Sequence, residues 1–350
     1  MDSTQKTATR ELMPPPPGTT TYGKVAWYAA GPKGLMVLDL LMILLFFGIL
    51  IAYEVAMMSF IDNTPLTTGS RKLDLLIPST IVVILSCVPD YSLLSKFSGI
   101  GLVAVALSFI VISVQGFVDN GCSGFRGSLE LKLWPESLSA ASSWFGVVVF
   151  GYGVVPFVFN FRESMANPKK VTLSLQLGLF MVYFGYIMIS NGILVLFSPS
   201  YVFDGDVLRA MPGGFLPSIV RLLMTFVVAV TAPLLVIPCG ELIEGKLGIE
   251  NASMRQRIMV RVIFCIVCIG VSLGCPAGFV HVVSFIGCFC VAMTGFVLPP
   301  LFCIQLSTQK KSRLGIDLEL LCDVVVLIVG LMATSITSVM TFRELIVREA

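Results

Sequence analysis

The chain has 350 residues, of which 56% are hydrophobic and only 13% are charged, and its mean hydropathy is +0.93. Soluble domains carry roughly 25% charged residues, so this composition indicates a protein solvated by lipid. A net charge of +2, without a basic stripe or zinc-finger spacing, excludes a nucleic-acid partner.

Nine apolar segments predict transmembrane helices, because most approach the ~20 residues that cross ~30 Å of hydrocarbon. In chain order they are Leu35–Ile61, Leu75–Val88, Gly99–Phe117, Ser143–Asn160, Val171–Phe197, Leu216–Cys239, Val260–Gly274, Val280–Leu306 and Leu318–Thr341. The second is short, so we expect it to extend toward Asp90 or to lie buried among its neighbours. The predicted fold is therefore an all-α membrane protein. Residues 1–34 form a disordered cytoplasmic tail and the approach to the first span, residues 35–342 the transmembrane domain, and residues 343–350 a short C-terminal tail.

The distribution of basic residues predicts that the N-terminus is cytoplasmic. With that orientation, only eight of the 23 Lys and Arg residues lie on the other side: Arg71, Lys72, Arg126, Lys132, Arg209, Arg221, Arg343 and Arg348. Cytoplasmic loops carry the excess of Lys and Arg, so this orientation is favoured over its inverse.

The cysteines do not predict a metal centre. Cys265 and Cys268 have C-x-x-C spacing, but they lie on a predicted span, with no second pair and one histidine in the chain. Buried thiols in spans act as small apolar residues. Cys122 and Cys275 fall in loops on the non-cytoplasmic side, where a disulfide between them is one alternative.

The fourth predicted span contains helix-breaking residues. Gly151, Tyr152 and Gly153 are followed by Pro156, and a proline inside a span removes a backbone hydrogen bond. Exposed backbone groups persist at membrane depth only where protein or a water-filled cavity receives them. The pattern predicts an interrupted helix beside a ligand path; the alternative is a pair of glycines that pack helices around a core tyrosine.

Four segments, taken in order, resemble the amino acid/auxin permease family. Residues 88–101 (VPDYSLLSKFSGIG) are similar to the loop between its fourth and fifth helices, and residues 150–170 to its sixth helix and the following loop, which ends here in ESMANPKK. Residues 232–244 (APLLVIPCGELIE) resemble the end of its eighth helix, and residues 261–306 its ninth and tenth. The nine spans then correspond to helices three to eleven, and we expect a chain that enters the family at its third helix.

The resemblance implies an inverted-repeat transporter fold like that of the leucine transporter, present here in part, in which substrate binds near the midplane beside interrupted helices. It implies that Gly151, Tyr152 and Gly153 contact the substrate. Arg162 and Glu163, after the broken span, are either a gate or an interfacial ion pair. Thr231 lies on the helix where hydroxyls in related folds bind sodium, although such hydroxyls also bond to their own backbone.

Two acidic side chains fall inside the first span. Glu54 lies about two turns from its outer end, where it either carries a coupling proton or reaches outward as a structural group. Asp39, near the cytoplasmic end, is expected to be interfacial.

We therefore predict a non-enzymatic, multi-pass carrier of amino acids in the lipid bilayer, in either the plasma membrane or a vacuolar or lysosomal membrane. It works by alternating access, with a proton or sodium as coupling ion and no other cofactor. The alternative is a transport-inactive fragment or regulatory membrane subunit of the same family. A channel is disfavoured because the chain has no selectivity-filter sequence.

Overall fold

The fold was analysed in a computed structural model. It describes residues 14–62, 64–88, 91–120, 134–197, 206–210, 213–248, 253–274, 278–310 and 318–347. Cys122 and Cys275, the candidates for a disulfide, lie outside these residues.

The described residues form helices and connecting turns. The helices are α1 (Thr21–Asp62), α2 (Arg71–Ser86), α3 (Tyr91–Asn120), α4 (Leu138–Gly151), α5 (Val158–Ser164), α6 (Val171–Phe197), α7 (Val207–Ala210), α8 (Phe215–Thr231), α9 (Pro233–Lys246), α10 (Met254–Gly274), α11 (Phe279–Ile286), α12 (Leu298–Lys310) and α13 (Leu318–Val347). Two π-helical turns, Gly287–Val291 and Met293–Val297, join α11 to α12.

Eight helical segments in the described chain are long and apolar enough to cross a bilayer. This confirms an all-α membrane fold. The second predicted span, Leu75–Val88, forms α2, whose 16 residues reach about 24 Å at 1.5 Å per residue. This helix packs against α1, α8, α9 and α10, which bury one of its faces.

The first helix, α1, lies at the centre of the fold, in contact with α2 and with α8 to α12. It is apolar on all sides, the composition expected of a helix surrounded by protein rather than one with a polar outer face. Its core side chains include Leu45, Leu50 and Met57. In contrast, α6 and α13 expose most of their apolar side chains at the surface that faces lipid.

The first helix also begins well before the predicted span, at Thr21. Gly31 has a φ of 69° and a ψ of −156°, a left-handed conformation that glycine adopts without steric cost, and Pro32 follows it. The segment before this kink packs back onto the fold, where the Tyr22 hydroxyl donates a 2.9 Å hydrogen bond to the Thr294 carbonyl. The approach to the first span is therefore helical and docked.

Two glycines allow α4 to cross the first π turn at very short distance. A Cβ placed on Gly146 would lie 2.1 Å from the Ser284 carbonyl oxygen, and one on Gly287 would lie 1.9 Å from the Gly146 carbonyl oxygen. Small residues permit such backbone contact between membrane helices. At Gly270 and Gly274 on α10, in contrast, nothing lies within 4 Å of an added Cβ.

Asp39, which the sequence predicts to be interfacial, is buried in the protein and pairs with Lys246 at the end of α9. Nearby, buried Glu244 lies 3.6 Å from the Arg257 guanidinium. These ion pairs join α1, α9 and α10 at the end of the bundle that the basic residues predict to be cytoplasmic.

Candidate functional site

The predicted interruption lies between α4 and α5. The amide of Tyr152 closes the last turn of α4 on the Val148 carbonyl at 3.1 Å, while that of Gly153 shifts to the Phe150 carbonyl, also at 3.1 Å. The amide of Val154 then forms a 2.7 Å bond to the Tyr152 carbonyl, which closes a three-residue turn. Pro156 opens the next turn, which is 3₁₀ in geometry and leads into α5.

This break has a local cause in the sequence. Proline supplies no amide and disfavours α geometry in the residue before it, and glycine contributes little to helix stability. Because the last carbonyls of a helix lack intrahelical donors, the end of α4 presents acceptors and the negative end of its dipole. The break is therefore a polar strip of main chain within an apolar span.

A tyrosine from α6 covers the exposed side of the break. The Tyr186 ring meets the Tyr152 ring edge to face, with centroids 5.7 Å apart, and its hydroxyl donates to the Gly151 carbonyl at 3.4 Å. A Cβ on Gly151 would lie 3.2 Å from the Tyr186 ring, so glycine gives this tyrosine access to the backbone.

A second tyrosine reaches the same region from α1. The side chain of Tyr53 interacts with the hydroxyl of Thr231 at the end of α8, and Tyr186 is near enough to Tyr53 for an electrostatic interaction. The Thr231 hydroxyl donates to the Val227 carbonyl at 2.8 Å, so its oxygen faces Tyr53 as an acceptor. Side chains from α1, α6 and α8 thus neighbour one another beside the break.

The π turns form the opposite wall of the break. A Cβ on Gly153 would lie 3.0 Å from a methyl group of Val291, in the first π turn. Two carbonyls of these widened turns accept side-chain hydrogen bonds, that of Cys288 from Ser338 at 3.1 Å and that of Thr294 from Tyr22. Widened turns of this kind often occur at functional sites.

Comparison with known proteins assigns this architecture to a family. A model of the family described as "Transmembrane amino acid transporter protein" matches residues 8–343. The chain belongs to this family.

Two named proteins are similar to this transporter in sequence. It is 24% identical over 324 residues to "Amino acid transporter AVT3A" of Arabidopsis thaliana, across 89% of this chain and 71% of that protein. It is 23% identical over 259 residues to "Vacuolar amino acid transporter 3" of Schizosaccharomyces pombe, across 71% of this chain and 37% of that protein. The chain thus spans little more than a third of the second relative.

The residues predicted to form the transporter's site separate into two groups. Gly151, Tyr152 and Gly153 lie together at the break, and Tyr53 links Thr231 to them. Glu54 follows Tyr53 but projects about 100° away around α1. Its side chain has 0% exposure within the core that α1 forms with α2, α9 and α10.

Arg162 and Glu163 lie at the end of α5, away from the break. Both side chains are exposed, and this part of the described chain contains no ion pair between them. Glu163 instead accepts a hydrogen bond from Thr21, the first residue of α1. A gate at this position would therefore join α5 to the start of α1.

Sequence reasoning missed Tyr53 and Tyr186. Each is a hydrogen-bonding aromatic residue inside an apolar span, a signal available from the sequence, but nothing local shows that the two face one another. No cluster of three His, Cys, Asp or Glu side chains with metal-binding geometry occurs among the residues that the structure describes.

Proposed function

We propose that this chain carries amino acids across a membrane by alternating access, with the helix break as the substrate contact and a proton or sodium gradient as the driving force. The contact of Tyr186 with the Tyr152 ring and with the Gly151 carbonyl at the break carries this proposal. Family membership and the printed names of both relatives support it. The name of the yeast relative favours a vacuolar membrane over the plasma membrane.

The chemistry of the site suits a zwitterion. An ammonium group at membrane depth needs acceptors, which the second lone pairs of the carbonyls at the end of α4 supply along with the negative end of the helix dipole. A carboxylate needs donors, and the hydroxyls of Tyr53 and Tyr186 provide them. Either charge left unpaired in the bilayer would cost several kcal/mol, so both partners are required.

Alternating access requires the substrate contact to open and close. The Tyr186 hydroxyl is hydrogen-bonded to the Gly151 carbonyl in this structure, so an incoming ammonium group must displace that hydroxyl. Because the ring of Tyr186 also packs on Tyr152, that displacement moves α6 relative to the break. The tyrosine pair therefore acts as a lid on the main-chain strip.

Uptake of labelled neutral amino acids into proteoliposomes tests the proposal, with Tyr186→Phe as the variant. Loss of the hydroxyl removes a donor to the substrate while keeping the ring stack, so we expect KM to rise by about tenfold, the equivalent of one hydrogen bond of roughly 1.4 kcal/mol.

Tyr183→Phe is the matched control, since Tyr183 lies one turn away on the exposed surface of α6. An unchanged KM in Tyr186→Phe, or an equal change in both variants, contradicts the assignment of the site. Correct membrane insertion of the wild-type chain without any uptake favours the alternative, a transport-inactive or regulatory subunit.

A further inference from the structure

The face of α10 that packs against α1, α2 and α9 carries a line of polar and polarizable side chains. Arg261, Cys265, Cys268 and Ser272 are spaced four, three and four residues apart, which places them on one side of the helix. All four are buried. We call them the α10 stripe.

Glu54 lies at the outer end of the α10 stripe. Neither of its carboxyl oxygens has a hydrogen-bond partner among the described residues, although the side chain is fully buried. Ser272 is close enough to interact with it, but the Ser272 hydroxyl donates at 2.9 Å to the Cys268 carbonyl. The carboxyl group is thus buried, and the nearby hydroxyl donates its hydrogen bond to another acceptor.

The surroundings of Glu54 disfavour both its own carboxylate anion and a bound sodium cation. The titratable groups that interact with Glu54 are the thiols of Cys265 and Cys268 on α10, and its side chain is fully buried. A carboxylate buried without a cation or donors costs several kcal/mol, so the protonated form is the stable one here. Sodium would need several oxygen ligands, whereas thiols and a single hydroxyl are poor ligands for a hard cation.

The inner end of the α10 stripe meets charged groups. Arg261 interacts with Glu244, whose carboxylate also faces Arg257. Between the two ends, Cys265 lies beside Ser86 of α2 and Cys239 of α9. A hydroxyl, two polarizable thiols and an arginine therefore line α10 from Glu54 to the ion pairs at the α9–α10 end of the bundle.

We propose that Glu54 is a proton-binding site of this transporter, loaded and unloaded along the α10 stripe from the α9–α10 end. The carboxylate takes up one proton to form the neutral acid enclosed here, and returns it to water at that end when α10 separates from α1. Tyr53, the preceding residue of α1, lies at the substrate contact, so a shift of α1 on deprotonation changes both sites together. This coupling role rests on the proposed function; the protonation of Glu54 does not.

The coupling role is tested with Glu54→Gln, which keeps the shape of the neutral acid. In proteoliposomes we expect this variant to lose accumulation driven by a pH gradient, and to lose substrate-dependent pH change reported by a trapped dye. Exchange of external for internal amino acid, which needs no net proton movement, continues. Glu241→Gln, a change of an exposed carboxylate on α9, keeps both activities. Gradient-driven accumulation by Glu54→Gln at the wild-type level would overturn the coupling role.

Infrared difference spectroscopy tests protonation without any transport. The wild-type protein at neutral pH should show the carbonyl band of a buried, protonated carboxylic acid, and Glu54→Gln should lack it. Ser272→Ala should shift the frequency of this band, because it alters the polar group nearest the acid, while Ser253→Ala at the exposed start of α10 leaves it unchanged. Absence of the band from the wild type overturns the proton site. Its presence in a protein that shows no exchange leaves that site intact and refutes the proposed function instead.

Discussion

Tyr53 and Glu54 show how strongly the position of a single residue on a helix determines its environment. Tyr53 reaches the hydroxyls at the helix break, while Glu54, the next residue, is enclosed by the α1, α2, α9 and α10 core. The separation of about 100° between successive side chains is the whole reason for this difference. A residue of the proposed substrate contact and the proposed proton site thus share one turn of α1.

Asp74, at the start of α2, is an acidic residue whose carboxylate accepts several hydrogen bonds. It accepts hydrogen bonds from the Thr67 hydroxyl at 2.6 Å, the Thr68 amide at 2.8 Å and the Thr68 hydroxyl at 2.7 Å. Burial acts to raise the pKa of Asp74, but these hydrogen bonds outweigh it, and the pKa lies below its ordinary value.

We predict a pH-dependent contribution of Asp74 to stability. Because the pKa of Asp74 is lower in the folded state, its ionised carboxylate stabilises the fold fully above the unfolded-state pKa of about 3.9. This stabilisation disappears as the pH falls through the lower pKa of the folded state. Asp74→Asn should therefore lower the melting temperature in detergent at neutral pH, and the difference from wild type should shrink in acid. Asp62→Asn, at the exposed end of α1, is the control. A difference that is the same at both pH values contradicts the prediction.

At the level of elements, close packing and helix interruption occur together. The crossing of α4 over the first π turn lies one to two turns before the break, and the same π turn forms the far wall of the site. The proposed substrate contact therefore depends on the close backbone approach that Gly146 and Gly287 allow.

Gly146→Ala and Gly287→Ala should each destabilise the protein by at least about 1–3 kcal/mol, the usual cost of overpacking, because the added methyl group would meet carbonyl oxygens that cannot move independently. Thermal unfolding followed by size-exclusion chromatography measures the effect. Gly178→Ala and Gly185→Ala on α6 are matched controls, since nothing lies within 4 Å of a Cβ at either position. Equal melting temperatures for all four variants would show that this crossing is looser than described.

At the level of the whole molecule, orientation in the membrane follows from charge. The ion pairs Asp39–Lys246 and Glu244–Arg257 lie at the end of the bundle where the basic residues concentrate, while the loop after α1 lies at the opposite end. The positive-inside rule then predicts that the α9–α10 end is cytoplasmic.

Two engineered cysteines test this orientation. Leu66, after α1, and Leu247, after α9, are each 63% exposed, so they differ mainly in the side of the membrane they occupy. In sealed vesicles whose outer face is cytoplasmic, we expect an impermeant maleimide to label Leu247→Cys at once and Leu66→Cys only after detergent is added. The unsubstituted protein provides the background from native cysteines, and the reverse order of labelling would invert the topology.

Much of the fold was predictable because bilayer solvation acts on local composition. Apolar segments of sufficient length predicted the spans, and Gly151, Gly153 and Pro156 predicted the break within α4–α5. The early start of α1 was not predictable in the same way, because the segment before Gly31 is stabilised by contacts such as that of Tyr22 with Thr294, distant in sequence.

By itself, the sequence determined that this protein is a bundle of membrane helices with an interrupted fourth span, since chain composition and backbone chemistry are local properties. Only the tertiary structure decided that Tyr186 meets Tyr152 at the break, that Glu54 faces the α10 stripe, and that Asp39 pairs with Lys246. The physical reason is that α1 is apolar on all sides, so its pattern does not specify its rotation; packing against six neighbouring helices does.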